Sequence, residues 1–268
     1  MVRIGLVGCG TIGSRLAREV QRHYPTHARI TALHDAQHHR ALALQRHLHP
    51  APPIVSLSEL IRRSRLVIEA ASAEAAREIV PRALRAGRDV FVMSAGGLLQ
   101  DTRWQTLARR AGRKVYVPSG ALAGLDGVAA MARGRIRRMS LTTRKPPKAL
   151  AGAPGLGRVR RRLAQLTKPT VIFDGSPAEA VRRFPQNTNV AAALTLSGGD
   201  ATTTRRVRVV ADPTVRRNVH ELEVESDCGR IRCRIESRPS ANPKTSELAV
   251  RSAIATLGRL FEPVVIGT

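Results

Sequence analysis

The sequence is poor in aromatic residues, in cysteine and in long apolar runs. Aromatic residues make up 3% of its 268 residues, so stacking platforms for single-stranded nucleic acid are scarce. Its three cysteines, Cys9, Cys228 and Cys233, include no CxxC pair, which argues against a disulfide framework or a zinc site. No apolar run approaches the ~18 residues of a membrane span, and the first apolar stretch lacks a signal-peptide layout. We therefore expect a cytoplasmic protein that holds no metal and does not enter a membrane.

The charge is strongly unbalanced. The formal net charge is +25, and the excess is mostly arginine scattered along the chain. Such a charge is compatible with nucleic-acid binding, but no basic tail, zinc finger or RNP-like motif accompanies it. We interpret the excess as a solvated surface that also attracts anionic nucleotides and acidic substrates. Nucleic-acid binding is the less favoured reading.

The first residues carry a glycine-rich turn between a predicted strand and a predicted helix. Val2–Val7 is apolar, and the turn that follows consists of Gly8, Cys9, Gly10, Thr11, Ile12 and Gly13. The first glycine permits a tight turn, the second lets a pyrophosphate approach the backbone, and the third lets the helix pack on the strand. The helix N-terminus then offers free N–H groups to the anion.

An acidic residue follows at the expected distance. Asp35 ends the second predicted strand, about 20 residues after the last glycine, where a carboxylate accepts hydrogen bonds from an adenosine ribose. The sequence therefore predicts a site for NAD or NADP. Asp35 favours NAD because its charge repels a 2′-phosphate, whereas the neighbouring His38, His39 and Arg40 keep NADP open.

The chain divides into an α/β part and an α+β part. Residues 1–118 alternate strand and helix, which predicts a parallel sheet of Rossmann type. Residues 119–241 predict a second domain with a mostly antiparallel sheet. Residues 242–268 predict a C-terminal helix and tail that pack back on the first domain.

Three local predictions accompany this division. Gln37–His49 is expected to be helical, and Lys145–Arg158, rich in Pro, Gly and Ala, is expected to be a loop. The terminal helix is expected over Pro243–Leu260, with Asn242 as its N-cap.

One histidine stands apart from the others. Seven of the eight histidines precede Pro50, whereas His220 is alone in the second half. The clustered ones among the seven are interpreted as solvated: His34, His38, His39, His47 and His49. Strand periodicity places His220 on the apolar face with Leu222 and Val224. From spacing alone, a core histidine and a catalytic one both remain open.

Several segments together resemble L-aspartate dehydrogenases, over nearly the whole chain. They are GLVGCGTIG at the N-terminus, PSGALAGLDG at Pro118–Gly127, TTRKPP at Thr142–Pro147, FPQNTNVAAAL at Phe184–Leu194, ADPTVRRNVHE at Ala211–Glu221 and NPKTSELA at Asn242–Ala249. The last three segments are far more specific than the glycine turn, which many unrelated enzymes share.

The resemblance implies a reversible oxidoreductase that converts L-aspartate to iminoaspartate, which hydrolyses to oxaloacetate and ammonia and can feed NAD biosynthesis. It implies that His220 is catalytic, with an imidazole near neutral pKa suited to proton exchange. It implies that Ala121 and Asn189 contact the cofactor; Asn187 is a neighbour that sequence cannot separate from Asn189. It also implies a homodimer.

A substrate with two carboxylates needs cationic partners. Arg144, Lys145 and Lys148 follow one another in the second half, and Lys244 would stand in the first turn of the expected terminal helix, where anions are favoured. We take Lys145 and Lys244 as the substrate-binding candidates.

Two other readings remain at this stage. One is another two-domain dehydrogenase, of homoserine or dihydrodipicolinate type. The other is a dinucleotide-sensing or nucleic-acid-binding protein that kept the fold without catalysis. Fold alone does not choose between them.

Overall fold

The computed structural model describes residues 1–185, 189–240 and 245–266. By contacts between backbones the chain forms two compact units, Met1–Pro118 with Ala253–Val265, and Ser119–Ser252 with Ile266. The division falls within the last helix.

The first unit is built on a parallel sheet. Its strand order is β2-β1-β3-β4-β5, and every neighbouring pair is parallel. The elements are β1 (Val2–Val7), α1 (Thr11–His23), β2 (Ala28–His34), α2 (His38–Gln45), α3 (Leu57–Arg63), β3 (Leu66–Glu69), α4 (Ala73–Arg85), β4 (Asp89–Val92), a 3-10 turn (Ala95–Leu99), α5 (Arg103–Ala111) and β5 (Val115–Tyr116).

Apolar strands with helices on both faces explain why this sheet forms. Ile4 and Leu6 of β1 are fully buried, as are Leu16 of α1 and Leu33 of β2, and Leu257 of the last helix belongs to the same core cluster. Burying each such side chain contributes about 1.5–3 kcal/mol, so β1 is firmly held and its carboxyl end is a rigid support for the glycine turn.

The second unit is built on a mixed sheet of order β10-β9-β6-β8-β7. Only β6 and β8 are parallel to one another, and the other three pairings are antiparallel. The elements are α6 (Leu125–Met131), β6 (Ile136–Lys145), α7 (Pro147–Leu150), a 3-10 segment (Pro154–Gln165), β7 (Thr170–Gly175), α8 (Pro177–Arg183), α9 (Asn189–Leu196), β8 (Thr204–Ala211), β9 (Asn218–Ser226), β10 (Arg230–Ser237) and α10 (Glu247–Gly258). The predicted α/β class, with a parallel first sheet and a mostly antiparallel second one, is confirmed.

The two faces of the second sheet differ in chemistry. One face carries the core, with Met139 and Leu141 of β6 and Leu222 of β9 buried. The other face carries cross-strand ion pairs in which arginines of β10 stand opposite glutamates of β9: Arg230 and Glu225, Arg232 and Glu223, Arg234 and Glu221. Exposed pairs of this kind contribute about 0–1 kcal/mol each, so these arginines form a solvated surface that adds little to stability.

Three local predictions are wrong. The terminal helix begins at Glu247 rather than Pro243, because Ser246 bridges to Pro239; the expected cap Asn242 lies outside the described residues. Lys145–Arg158 is not one loop, since β6 continues to Lys145 and a short helix and a 3-10 segment follow. The second helix spans His38–Gln45 and ends before His49.

No helix in the described part of the chain is long and apolar enough to cross a bilayer.

Candidate active site

The glycine turn has the geometry that a dinucleotide requires. Gly8 has φ +93°, and a Cβ there would lie 2.5 Å from the carbonyl oxygen of Ala70. A Cβ on Gly13 would lie 1.9 Å from the carbonyl oxygen of Gly8, so only glycine lets α1 pack against β1. Gly10, by contrast, has nothing within 4 Å of a Cβ position. The backbone there is open to a ligand, and a side chain would close it.

The first turn of α1 follows directly after the open backbone at Gly10. The helix starts at Thr11, with Gly10 as an N-cap that makes no side-chain hydrogen bond and with no acidic residue in the first turn. The N–H groups of Thr11, Ile12 and Gly13 have no partner inside the helix because four N–H groups are always left over at a helix start. They suit a pyrophosphate.

Asp35 stands beside this turn. One carboxylate oxygen accepts the N–H of Cys9 at 2.7 Å, and the other accepts the N–H of Gln37 at 2.8 Å. These bonds fix the carboxylate, and its remaining lone pairs can accept ribose hydroxyls. Burial and the nearby Asp35 charge raise the pKa of the Cys9 thiol to about 12, so Cys9 stays a neutral thiol and is not a nucleophile.

Two segments that the resemblance associates with the cofactor meet in the second unit. Ala121 is buried, and the preceding Gly120 has φ +66°. A Cβ on Gly120 would lie 3.9 Å from the side chain of Val190, whose neighbour Asn189 is the exposed first residue of α9. The backbone before Ala121 therefore approaches the start of α9. Asn187 lies outside the described residues.

His220 lies on the face that periodicity predicts, among buried neighbours. It is 3% exposed on β9, with Leu222 and Val224 buried on the same side. Directly across the sheet, Thr143 of β6 is its register partner, and its hydroxyl lies 3.1 Å from His220 Nδ1. The ring is thus anchored through Nδ1, and Nε2 is the nitrogen left for other contacts.

The electrostatics of His220 differ from the sequence expectation. Burial and the positive charge of Lys145 lower the pKa of His220 to about 3. The expectation of a near-neutral pKa is therefore wrong for the protein without substrate, because a buried imidazole beside a cation resists a second proton. At neutral pH the ring is therefore uncharged.

Lys145 is the cation that joins this cluster. It ends β6 two residues after Thr143, is 5% exposed, and has its pKa lowered to about 8 by burial. Its neighbour Arg144 points to the other face, where it pairs with Glu221 at 3.1 Å and with Asp212 at 3.8 Å. Lys148 is exposed. Of the cations considered, Lys145 is the one that the fold brings to His220, whereas Lys244 lies outside the described residues.

Two further residues near these sites, Thr143 and Glu69, are not among the candidates that the sequence predicts. Thr143 appears inside the TTRKPP segment, and the two-residue period of β6 is the signal that would have placed it with Lys145 on one face. Glu69, fully buried at the end of β3, gave no signal beyond an acid in an apolar strand. Among the described residues no cluster of His, Cys, Asp and Glu could hold a metal ion.

Comparisons with known families cover both halves of the chain. Residues 8–118 match the NAD-binding domain of homoserine dehydrogenase, and residues 126–260 match the C-terminal domain of aspartate dehydrogenase. The second match separates this chain from a homoserine dehydrogenase, whose NAD-binding domain it shares.

Curated relatives and a solved structure agree with this. The chain is 44% identical over 273 residues to an L-aspartate dehydrogenase of Methanosarcina barkeri, with all of both chains covered. It is 39% identical over 268 residues to L-aspartate dehydrogenase 3 of Bordetella bronchiseptica, covering 99% of this chain and 97% of the relative. The crystal structure of aspartate dehydrogenase from Thermotoga maritima superposes with a TM-score of 0.76 at 26% identity, covering both chains completely. With its glycine turn, its buried histidine and full-length relatives at these identities, the chain belongs to the L-aspartate dehydrogenase family.

Proposed function

We propose that this protein oxidises L-aspartate at its α-carbon with a pyridine nucleotide, forming iminoaspartate that hydrolyses to oxaloacetate and ammonia, in a reversible reaction. The observation that carries the proposal is the buried cluster of His220, Thr143 and Lys145 in the unit that matches the aspartate dehydrogenase C-terminal family. A neutral imidazole beside a buried cation suits a substrate that must lose protons and carries carboxylates.

The cofactor, when bound, supplies the nicotinamide carbon that takes the hydride. The chain holds it with the open backbone at Gly10 and the first turn of α1 for the pyrophosphate, and with the fixed carboxylate of Asp35 for the adenosine ribose. Ala121 and Asn189 are the residues proposed for the remaining contacts, following the resemblance.

His220 is proposed to exchange protons through Nε2, because Nδ1 is engaged by Thr143. Hydride leaves the α-carbon readily only when the amine is neutral, so the amine must first give up a proton. A group with a pKa of about 3 is a weak base. The two carboxylates of aspartate would raise that pKa on binding, since a nearby negative charge favours the protonated ring.

Lys145 is proposed to bind a substrate carboxylate. A cation buried on the same face as His220 would place the α-carbon near the imidazole, and its attraction to a carboxylate is strong because little water screens it. Lys244 stays a prediction, as do the homodimer, the cytoplasmic location and the supply of iminoaspartate to NAD biosynthesis.

Substrate identity is tested by the absorbance of reduced nicotinamide with a panel of amino acids. We expect reduction of the cofactor with L-aspartate and none above background with L-homoserine or D-aspartate. Reduction with L-homoserine but not with L-aspartate would overturn the proposal in favour of the homoserine alternative.

Cofactor choice is a separate prediction. We propose that NAD is preferred, because the fixed carboxylate of Asp35 accepts ribose hydroxyls and repels a 2′-phosphate. Asp35→Asn keeps one acceptor oxygen and removes the charge. Since a hydrogen bond to a charged group contributes about 1.5–3 kcal/mol, we expect the ratio of kcat/KM for NAD over NADP to fall at least about tenfold.

Arg40→Ala, in the first turn of α2, is the variant to compare with Asp35→Asn. If basic residues there receive a 2′-phosphate, this variant lowers kcat/KM for NADP and leaves that for NAD unchanged. A wild-type protein that uses NADP better than NAD would contradict the assignment to Asp35.

A further inference from the structure

Glu69 is a buried carboxylate at the topological switch point of the parallel sheet, where the order in which strands are added reverses. In the order β2-β1-β3-β4-β5, the chain runs from β1 outward to β2 and then returns to β3 on the other side of β1. Ligands of such sheets bind outside the carboxyl ends of the strands at this point. Here the two ends are Val7, followed by Gly8, and Glu69, which is its register partner.

The loop after β3 packs directly against the glycine turn. Ala70 donates its N–H to the carbonyl oxygen of Val7 at 2.8 Å. The carbonyl oxygen of Ala70 also lies 2.5 Å from where a Gly8 Cβ would be. The glycine turn and this loop are therefore in direct contact at Gly8, and a shift of the loop would disturb the start of the turn.

The Glu69 carboxylate fixes that loop and the next one. One oxygen accepts the N–H of Ala71 at 2.8 Å and the hydroxyl of Ser94 at 2.9 Å, and the other accepts the N–H of Ser94 at 3.0 Å. Ala71 follows β3 and Ser94 follows β4. One side chain thus ties together the loops after two neighbouring strands, both at the edge where the cofactor is expected.

Burying a carboxylate costs free energy, so Glu69 is expected to have a role that an apolar residue could not fill. Glu69 is 0% exposed, and within the described residues no charged side chain is among the groups that act on its carboxylate. Burial raises the pKa of Glu69, while the N–H and O–H donors act in the opposite direction. An apolar residue here would avoid the cost of burying a charge but could not hold the Ala71 and Ser94 groups.

We propose that Glu69 is a positioning residue for the nicotinamide half of the dinucleotide. Asp35 follows β2 and takes the adenosine ribose, and the pyrophosphate crosses the glycine turn after β1. The other half of the cofactor then continues over the ends of β3 and β4, where Glu69 holds the loops in place. The inference rests on the proposed cofactor binding but not on the identity of the amino-acid substrate.

The test compares NAD with AMP, which carries only the adenosine half, by calorimetry without any amino acid. Glu69→Gln has nearly the same shape, but whichever way its amide turns, the NH₂ meets the N–H of Ala71 or of Ser94. We expect the Kd for NAD to rise about tenfold, as one buried bond lost to an unsatisfied donor implies, and the Kd for AMP to stay within about twofold.

Two variants frame the result. Asp35→Asn should weaken AMP and NAD alike, because it acts on the shared adenosine half. Glu74→Gln, an exposed residue in the first turn of α4, should change neither. Loss of NAD binding alone in Glu69→Gln, beside loss of both ligands in Asp35→Asn, is a pattern that general destabilisation cannot produce.

If Glu69→Gln does not fold, Ser94→Ala removes a single hydroxyl donor and should raise the Kd for NAD about threefold with AMP unchanged. Equal weakening of NAD and AMP by Glu69→Gln would mean a structural role only, and unchanged binding of both would mean no role. Either result overturns the inference. Because no amino acid is present, both are independent of whether L-aspartate is the substrate.

Discussion

Replacing His220 with alanine is expected to lower kcat for L-aspartate oxidation about a thousandfold, while the Kd for NAD stays unchanged. Positioned proton transfer contributes about 10²–10⁴-fold to enzymatic rates, and Nε2 of this ring is the atom proposed to provide it. The dinucleotide contacts proposed for the glycine turn and Asp35 do not involve this ring, so cofactor affinity should not follow the loss of rate.

The control for this variant is an alanine substitution of an exposed histidine that is not part of the candidate site. His47 is exposed, and His47→Ala should leave kcat at the wild-type value. Thr143→Val keeps the shape of the side chain and removes the hydroxyl that holds Nδ1. It should lower kcat about tenfold, in line with one buried hydrogen bond, with Thr143→Ser restoring most of it. Full turnover in His220→Ala would remove the imidazole from the mechanism.

Lys145 gives the second large effect. Lys145→Met keeps a long side chain and removes the charge, and we expect the KM for L-aspartate to rise about a hundredfold. Removing one partner of a buried charge pair costs about 3–5 kcal/mol. The expected loss is smaller here because water can hydrate the substrate carboxylate that has lost its partner. The KM for NAD should change little. Lys148→Met, at an exposed position on α7, is the matched control.

The same residue predicts a pH dependence. Burial lowers the pKa of Lys145 to about 8, so its charge is present below that pH and is lost above it. Succinate is a dicarboxylate without an amine that titrates, and it isolates this effect from the ionisation of aspartate. Its inhibition constant should be constant from neutral pH to about pH 8, where both succinate carboxylates are ionised, and rise by up to about tenfold per pH unit above it.

Lys145→Arg supplies the comparison, because a guanidinium stays charged throughout this range. The Lys145→Arg variant should bind succinate more weakly than the wild type at neutral pH. Its inhibition constant should not change with pH over the range in which that of the wild type rises. Two results would place the carboxylate site elsewhere. One is a wild-type inhibition constant that stays unchanged up to the pH at which an ordinary lysine loses its proton. The other is a Lys145→Met protein that binds succinate as tightly as the wild type.

The parts of the fold that sequence could predict are those with local causes. The glycine turn, with Asp35 after the next strand, follows from steric requirements that act within a few residues. α8 begins at Pro177 because Ser176 and Glu179 form a capping box at its start, a signal that lies within a few residues in sequence. The alternation on β9 correctly placed His220 on the apolar face.

The parts that failed depend on distant partners. Asn242 and Pro243 are good helix-start signals, but Ser246 pairs with Pro239 and α10 begins only at Glu247. Lys145 looked like the start of a loop, and β6 continues through it because β8 pairs with β6 along its full length. β7 was missed for a similar reason, since its exposed residues gain strand geometry from β8.

The chemistry of the candidate site was partly out of reach for the same reason. A pKa of about 3 for His220 follows from burial and from Lys145, and both depend on the register that sets Thr143 opposite His220, 77 positions apart in sequence. Glu69 is similar, because its partner Ser94 stands on the loop after another strand. Local pattern identifies such residues as polar, and only the pairing of strands shows what they contact.

The central claim is that hydride passes from the α-carbon of L-aspartate to a bound nicotinamide, and isotope transfer tests it most directly. With L-aspartate deuterated at the α-carbon and unlabelled NAD, we predict that mass spectrometry finds one deuterium in each molecule of reduced cofactor and none in the oxaloacetate formed. Reduced cofactor without deuterium, or no reduction of the cofactor at all, would contradict the account.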